Sequence, residues 1–257
     1  MSARPLAWFV PLARRPQARL RLFCFPYAGG GSAVFRRWPQ TVPDMIEPVA
    51  IMLPGREGRY DEPPLRDATE LARQLADAIE PELGRPYATF GHSLGTVVSY
   101  ELVLELARRG LPPPCHMIMS GRGAPHLMRG GRDCDALDDA GFIDELRSMQ
   151  GTPEEVLRND ELMHMLLPTL RADFAMARNY RRQQPEPLPC GLSVYGGLAD
   201  QGVGRDTLQA WQAYSGTPIT LRMFPGGHFF INEAPQLVLP ALVRDLYPFA
   251  LATVGTA

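Results

Sequence analysis

Ser93 stands between two glycines in the stretch Phe90-Gly91-His92-Ser93-Leu94-Gly95. A serine in a Gly-x-Ser-x-Gly setting can act as a nucleophile when a strand precedes it and a helix follows, because the corner between them lifts the hydroxyl clear of the backbone. Residues 87–90 are an apolar run and residues 97–109 suit a helix, so both conditions are met. So tight a corner strains the serine backbone and leaves no room for side chains at Gly91 and Gly95. The first turn of the helix also points free N–H groups at any oxyanion formed on the serine, with the Leu94 N–H best placed.

A serine nucleophile needs a base, and five histidines compete: His92, His116, His126, His164 and His228. His92 lies in the corner itself, His116 at a strand start, and His126 and His164 in a helical segment. His228 alone follows a late strand, in Pro225-Gly226-Gly227-His228, where its ring can reach the same sheet edge. Asp200 follows the preceding strand in the same way, whereas Asp206 opens a helix and reads as a cap. The order Ser93, Asp200, His228 is that of α/β-hydrolases and differs from the trypsin and subtilisin orders. The chemistry is acyl transfer through a serine ester that water then clears.

The elements needed to position these residues can be read from periodicity. Strands are expected at 19–27, 48–53, 87–90, 117–120, 192–195 and 220–224, after an irregular start. Leu71, Leu75, Ala78 and Ile79 mark a helix between the second and third of these strands, and further helices are expected at 97–109, 205–214 and 234–251. Such alternation predicts a single α/β domain over residues 1–257, a mostly parallel sheet flanked by helices. From 124 to 187 the alternation stops. Phe142, Ile143, Leu146 and Met149 share one helical face, and Leu162, Met165, Leu166, Leu170 and Phe174 another, so this segment reads as a helical lid inserted over the site, in which Met163, Met165 and Met176 could adapt to varied acyl groups. The glycine-rich turn Tyr27-Ala28-Gly29-Gly30-Gly31 lacks the P-loop lysine and the Gly-x-Gly-x-x-Gly spacing. Its expected use is to supply the second oxyanion N–H, from Ala28 or Gly29.

Composition excludes other classes. The formal net charge is −2 and 45% of residues are hydrophobic, with neither a basic run nor a basic-aromatic patch, so no nucleic-acid partner is expected. All 26 basic residues are arginine, which carries no functional signal here. Cys24, Cys115, Cys134 and Cys190 are scattered without a C-x-x-C pair, so no metal, no cofactor and a reducing, cytoplasmic setting are expected. The N-terminal apolar stretch is too short and proline-broken for a signal peptide, and no segment approaches the ~20 apolar residues of a membrane helix.

Four stretches together resemble the type II thioesterases of polyketide and non-ribosomal peptide assembly lines: Phe25-Pro26-Tyr27-Ala28-Gly29-Gly30, Leu53-Pro54-Gly55-Arg56-Glu57 with Glu62-Pro63-Pro64, Gly91-His92-Ser93-Leu94-Gly95, and Gly226-Gly227-His228-Phe229-Phe230. The resemblance runs from about residue 20 to 250. It implies an α/β-hydrolase with a helical lid, a triad at Ser93, Asp200 and His228, oxyanion donors at Ala28 and Leu94, and hydrolysis of stalled or wrong acyl groups from the phosphopantetheine arm of acyl or peptidyl carrier proteins, besides small acyl thioesters. Leu94 stands where the family more often has methionine, and Gln201 where a proline often follows the aspartate. Carrier proteins are generally acidic, which makes Arg56, Arg59 and Arg122, on loops at strand ends, candidates for docking. The competing expectations are a medium-chain acyl thioesterase, a releasing thioesterase, a general carboxylesterase, and a non-catalytic binding protein on the same fold. The chain reads as free-standing rather than as an excised releasing domain.

Overall fold

The computed structural model describes residues 8–128, 136–149 and 151–252. Among these, seven strands form one sheet: β1 (Phe9–Pro11), β2 (Leu20–Phe25), β3 (Ile46–Ile51), β4 (Tyr87–His92), β5 (His116–Ser120), β6 (Gly191–Gly197) and β7 (Thr220–Phe224). They are ordered β1-β3-β2-β4-β5-β6-β7, with β1 antiparallel to β3 and every other neighbouring pair parallel. The expected irregular start therefore contains an edge strand. Three residues ending in a proline carry no readable alternation, and Pro11 is tolerated because an edge strand has no outer ladder to feed.

The helices are α1 (Ala68–Ile79), α2 (Leu94–Arg108), α3 (Asp139–Ser148), α4 (Glu154–Leu157), α5 (Asp160–Asn179), α6 (Arg205–Gln209), α7 (Phe230–Glu233) and α8 (Pro235–Ala252). Asp67 starts α1 by accepting from the Glu70 N–H at 2.8 Å, and Asn159 starts α5 by accepting from the Leu162 N–H at 3.0 Å. At α6 the cap is Gly204, so Asp206 sits in the first turn and not at the capping position expected of it.

Strand alternation decides which layer each side chain joins. Leu20, Leu22 and Cys24 of β2 pack with Val238, Leu242 and Leu246 of α8, while Phe23 and Phe25 pack on the opposite face with Leu71 and Leu75 of α1 and Val98 and Leu102 of α2. With helices on both faces, strands β3, β4 and β5 are buried along their whole length. Between β5 and β6 the described chain contains only helical elements. Phe142, Leu146, Leu157, Met163, Leu167 and Leu170 of α3, α4 and α5 form a small core of their own. Residues 129–135 of the insertion expected at 124–187, Cys134 among them, lie outside the described residues.

Candidate active site

Ser93 joins the end of β4 to α2 with φ 54° and ψ −110°, one of two non-glycine residues with positive φ among those described. The corner is held by its surroundings. The Ser93 N–H donates to the Ser120 carbonyl at 2.8 Å, and Thr96 Oγ1 donates to the Gly91 carbonyl at 2.8 Å. A Cβ at Gly91 would come within 2.3 Å of the Gly95 carbonyl oxygen, and one at Gly95 within 2.1 Å of the Phe25 carbonyl oxygen. Both positions therefore demand glycine for space rather than for flexibility.

Ser93 Oγ lies 3.0 Å from His228 Nε2, and His228 Nδ1 lies 2.7 Å from Asp200 Oδ2. The other oxygen of Asp200 accepts from the N–H groups of Gly202 at 2.9 Å and Val203 at 3.1 Å. Burial alone would raise the Asp200 pKa. The hydrogen bond and charge of His228, with the two backbone donors, outweigh burial and hold it below the usual carboxylate value. The carboxylate thus faces Nδ1 and fixes the tautomer in which Nε2 accepts from Ser93. Among the described residues, the N–H groups of Ala28 and Leu94 have no acceptor within the fold and remain available.

Sequence reading missed a second layer of support. His92 Nε2 donates to the His228 carbonyl at 2.9 Å, and its Nδ1 accepts from Ser120 Oγ at 2.8 Å. Burial, followed by repulsion from His228, pushes its pKa well down, so the ring stays neutral and ties the His228 loop to β5. Asp173 of α5 accepts from the Gly29 N–H at 2.7 Å and pairs with Arg56, whose Nη1 also donates to the Gly30 carbonyl at 2.9 Å. Only a pattern linking loop glycines to a distant helix could have signalled this, and periodicity carries none.

Other candidates fall elsewhere. Arg56 and Arg59 are buried rather than presented to a partner, with Arg59 paired to Glu62 and its guanidinium 3.7 Å from the Trp8 ring centroid. Arg122 is also buried but lines the cavity around Ser93 and His228. Carbonyls crowd the strand ends, and arginine is the residue that can satisfy several at once. Met163 and Met176 pack into cores and Met165 is exposed, while Met128 and Met149 line the cavity instead. His116 Nε2 contacts Ser193 Oγ at 2.9 Å, but both are buried toward the other end of the sheet, His116 stacks on Phe249, and neither lines the cavity around Ser93 and His228. Cys24, Cys115 and Cys190 are free thiols, and burial pushes Cys115 up to about 11, the opposite of an activated thiolate. Among the described residues no group of three His, Cys, Asp or Glu could hold a metal ion, and no helix is long and apolar enough to cross a membrane.

The cavity around Ser93 and His228 has a volume of about 620 Å³. Its walls include Tyr27 and Ala28 from the body and Leu146, Met149, Leu170 and Phe174 from the helical segment. A serine corner at the carboxyl end of a central parallel strand, with a histidine and an aspartate delivered by later strands, defines an α/β-hydrolase. The chain belongs to the thioesterase family, matching the thioesterase domain over residues 20–248. It is 39% identical to the gramicidin S biosynthesis protein GrsT of Aneurinibacillus migulanus over 239 residues, 93% of each chain. Its structure resembles RedJ, the thioesterase from the prodiginine biosynthetic pathway of Streptomyces coelicolor, with a TM-score of 0.84 and 34% identity over 96% of this chain and 91% of that one. It also resembles YbtT, the type II thioesterase from the yersiniabactin NRPS/PKS pathway, with a TM-score of 0.83 and 33% identity over 95% of this chain and 99% of that one.

Proposed function

We propose that the chain is an editing thioesterase that hydrolyses stalled or aberrant acyl groups from the phosphopantetheine arm of carrier proteins in polyketide or non-ribosomal peptide synthesis. The observation that carries this reading is the hydrogen-bonded chain from Ser93 through His228 to Asp200, opening on a cavity walled on one side by the inserted helices. Its relatives in gramicidin S, prodiginine and yersiniabactin biosynthesis supply the substrate class.

In this reading Ser93 Oγ attacks the thioester carbonyl as His228 Nε2 takes its proton. Asp200 steadies the imidazolium through Nδ1, and the N–H groups of Ala28 and Leu94 receive the oxyanion. The carbonyl re-forms, the C–S bond breaks, and His228 returns the proton to the departing thiolate. Water, deprotonated by the same ring, then cleaves the serine ester and frees the acid. The segment 124–187 acts as a lid whose apolar side receives the acyl chain. Energy from binding the carrier, remote from the carbonyl, would raise kcat/KM by holding the thioester against Ser93.

The test is hydrolysis of one acyl group carried on holo-carrier protein, on coenzyme A and on a short pantetheine mimic. A clear preference for the carrier supports the proposal, and equal kcat/KM on all three would leave a general acyl thioesterase.

A further inference from the structure

The loop after β5 puts an arginine in the catalytic cavity without an anion to balance it. Arg122 lines the same cavity as Ser93 and His228 and is 9% exposed. Its main chain is fixed by Trp211, whose Nε1 donates to the Arg122 carbonyl at 2.8 Å. Its Nη2 donates to the Ala177 carbonyl in the last turn of α5, and its Nε has no hydrogen-bond partner. Among the described residues no carboxylate lies within ion-pair distance of this guanidinium.

The neighbouring cations sharpen the contrast. Arg178 lines the cavity too, but it is paired with Glu145 at 2.7 Å. Arg181 lines it and donates Nη1 to the Tyr180 carbonyl at 2.6 Å, with no carboxylate partner among the described residues. Asp200 is the one carboxylate among the described lining residues, and it is committed to His228. Burial, then repulsion from Arg181, lowers the Arg122 pKa to about 10, which leaves a cation at neutral pH.

Capping α5 explains the bond to Ala177 but not the charge. A neutral amide would donate to the same carbonyl without desolvating a cation, and an unpaired buried charge is strongly unfavourable. A guanidinium is, however, shaped to grip two oxygens of a carboxylate or phosphate at once. We infer that Arg122, with Arg181 beside it, binds an anionic oxyacid group that the substrate brings into the catalytic cavity. Such a group has two sources, the phosphate of the pantetheine arm and a carboxylate on the acyl chain. The inference rests on the thioesterase reading of this cavity.

The test compares four thioesters, pentanoyl and glutaryl groups each carried on pantetheine and on 4′-phosphopantetheine, with wild type, Arg122→Gln and Arg122→Lys. Arg122→Gln should lower the ratio of anionic to neutral kcat/KM by about 10- to 100-fold, and Arg122→Lys should restore part of it. A fall confined to the phosphate pairs assigns the arm, and a fall confined to the glutaryl pairs assigns the acyl chain. Unchanged ratios in both would overturn the inference. Calorimetric binding of 4′-phosphopantetheine, pantetheine and glutarate to Ser93→Ala, alone and combined with Arg122→Gln, needs no turnover. Arg122-dependent binding of an anionic ligand by a chain that hydrolyses none of the thioesters would sink the catalytic reading and keep the anion site, and good hydrolysis with unchanged ratios would do the reverse. If Arg122→Gln fails to fold, Arg181→Gln takes its place, with a smaller fall in the same ratio expected and no fall counting against the inference.

Discussion

Asp173 and Arg56 are 117 positions apart in the chain and meet in a double hydrogen bond, Nη1 to Oδ2 and Nη2 to Oδ1, each 2.8 Å, with both side chains buried. The same Asp173 oxygen receives the Gly29 N–H, next to Ala28. Asp173→Ala should therefore cost stability, about 3–5 kcal/mol for a stranded buried charge, and lower kcat on the order of 100-fold with little change in KM by loosening the loop that aims the Ala28 N–H. Pairing Arg56→Met with Asp173→Leu should recover most of the stability and little of the kcat. Recovery of both together would make the pair purely structural.

Ser93→Ala should reduce turnover by roughly 10⁴- to 10⁶-fold and abolish labelling by a serine-directed phosphonate. Retention of a tenth of wild-type turnover would move the nucleophile elsewhere, and His116→Ala, whose ring meets Ser193 and Phe249, should leave phosphonate labelling in place.

Asp200→Asn should damage turnover far more than Asp206→Asn, since Asp200 alone reaches His228. Because the folded state lowers the Asp200 pKa, its ionisation contributes stability that is fully present above the ordinary carboxylate value of about 4 and is lost as the pH falls through the folded value. The difference in melting temperature between wild type and Asp200→Asn should accordingly shift in favour of the variant as the pH falls below about 5. A difference that stays constant down to pH 3 would contradict this.

His92→Phe keeps a ring of similar bulk but strands the His228 carbonyl and the Ser120 hydroxyl. We expect a loss of about 2–4 kcal/mol and a fall in kcat at nearly constant KM, with His92→Gln, which can still donate to the carbonyl, recovering part of it. Chemical denaturation and steady-state rates on one thioester check both points.

Phe174→Ala removes a ring from the cavity wall. It should shift chain-length preference toward bulkier acyl groups by about 10-fold per methylene-sized step, while the rate of phosphonate labelling changes much less. Equal losses in both would mean that the helical segment serves the chemistry rather than the choice of acyl group.

These residues also show which parts of the protein were open to a reader of the sequence. Strand β7 occupies the residues expected, 220–224, because five extended residues end at Pro225-Gly226 and nothing else competes for them. The context of Ser93, Asp200 and His228 was legible because each follows a strand, and strand ends in a parallel sheet share one edge. Strand β1 was not, having only three residues. Nor was the bond between Asp173 and Arg56: helical periodicity says which face of α5 is apolar, but a single acid on that face does not name a partner on another loop. The loop arginines misled for a related reason, since a charged residue beside prolines and glycines reads as solvated when its loop in fact turns inward.

The helical segment is anchored unevenly. Thr169 Oγ1 donates to the Gly55 carbonyl at 2.6 Å and Asp173 holds Gly29, both from the middle of α5, while α3, α4 and α5 as far as Leu170 share a core of their own. A graft from a relative that exchanges residues 139–166 for new acyl specificity must therefore keep partners for Arg171 and Arg178 and apolar contacts for Leu167 and Leu170. A graft that reaches further must carry the matching 29–31 and 55–56 loops with it, or the recipient inherits a buried acid without its base.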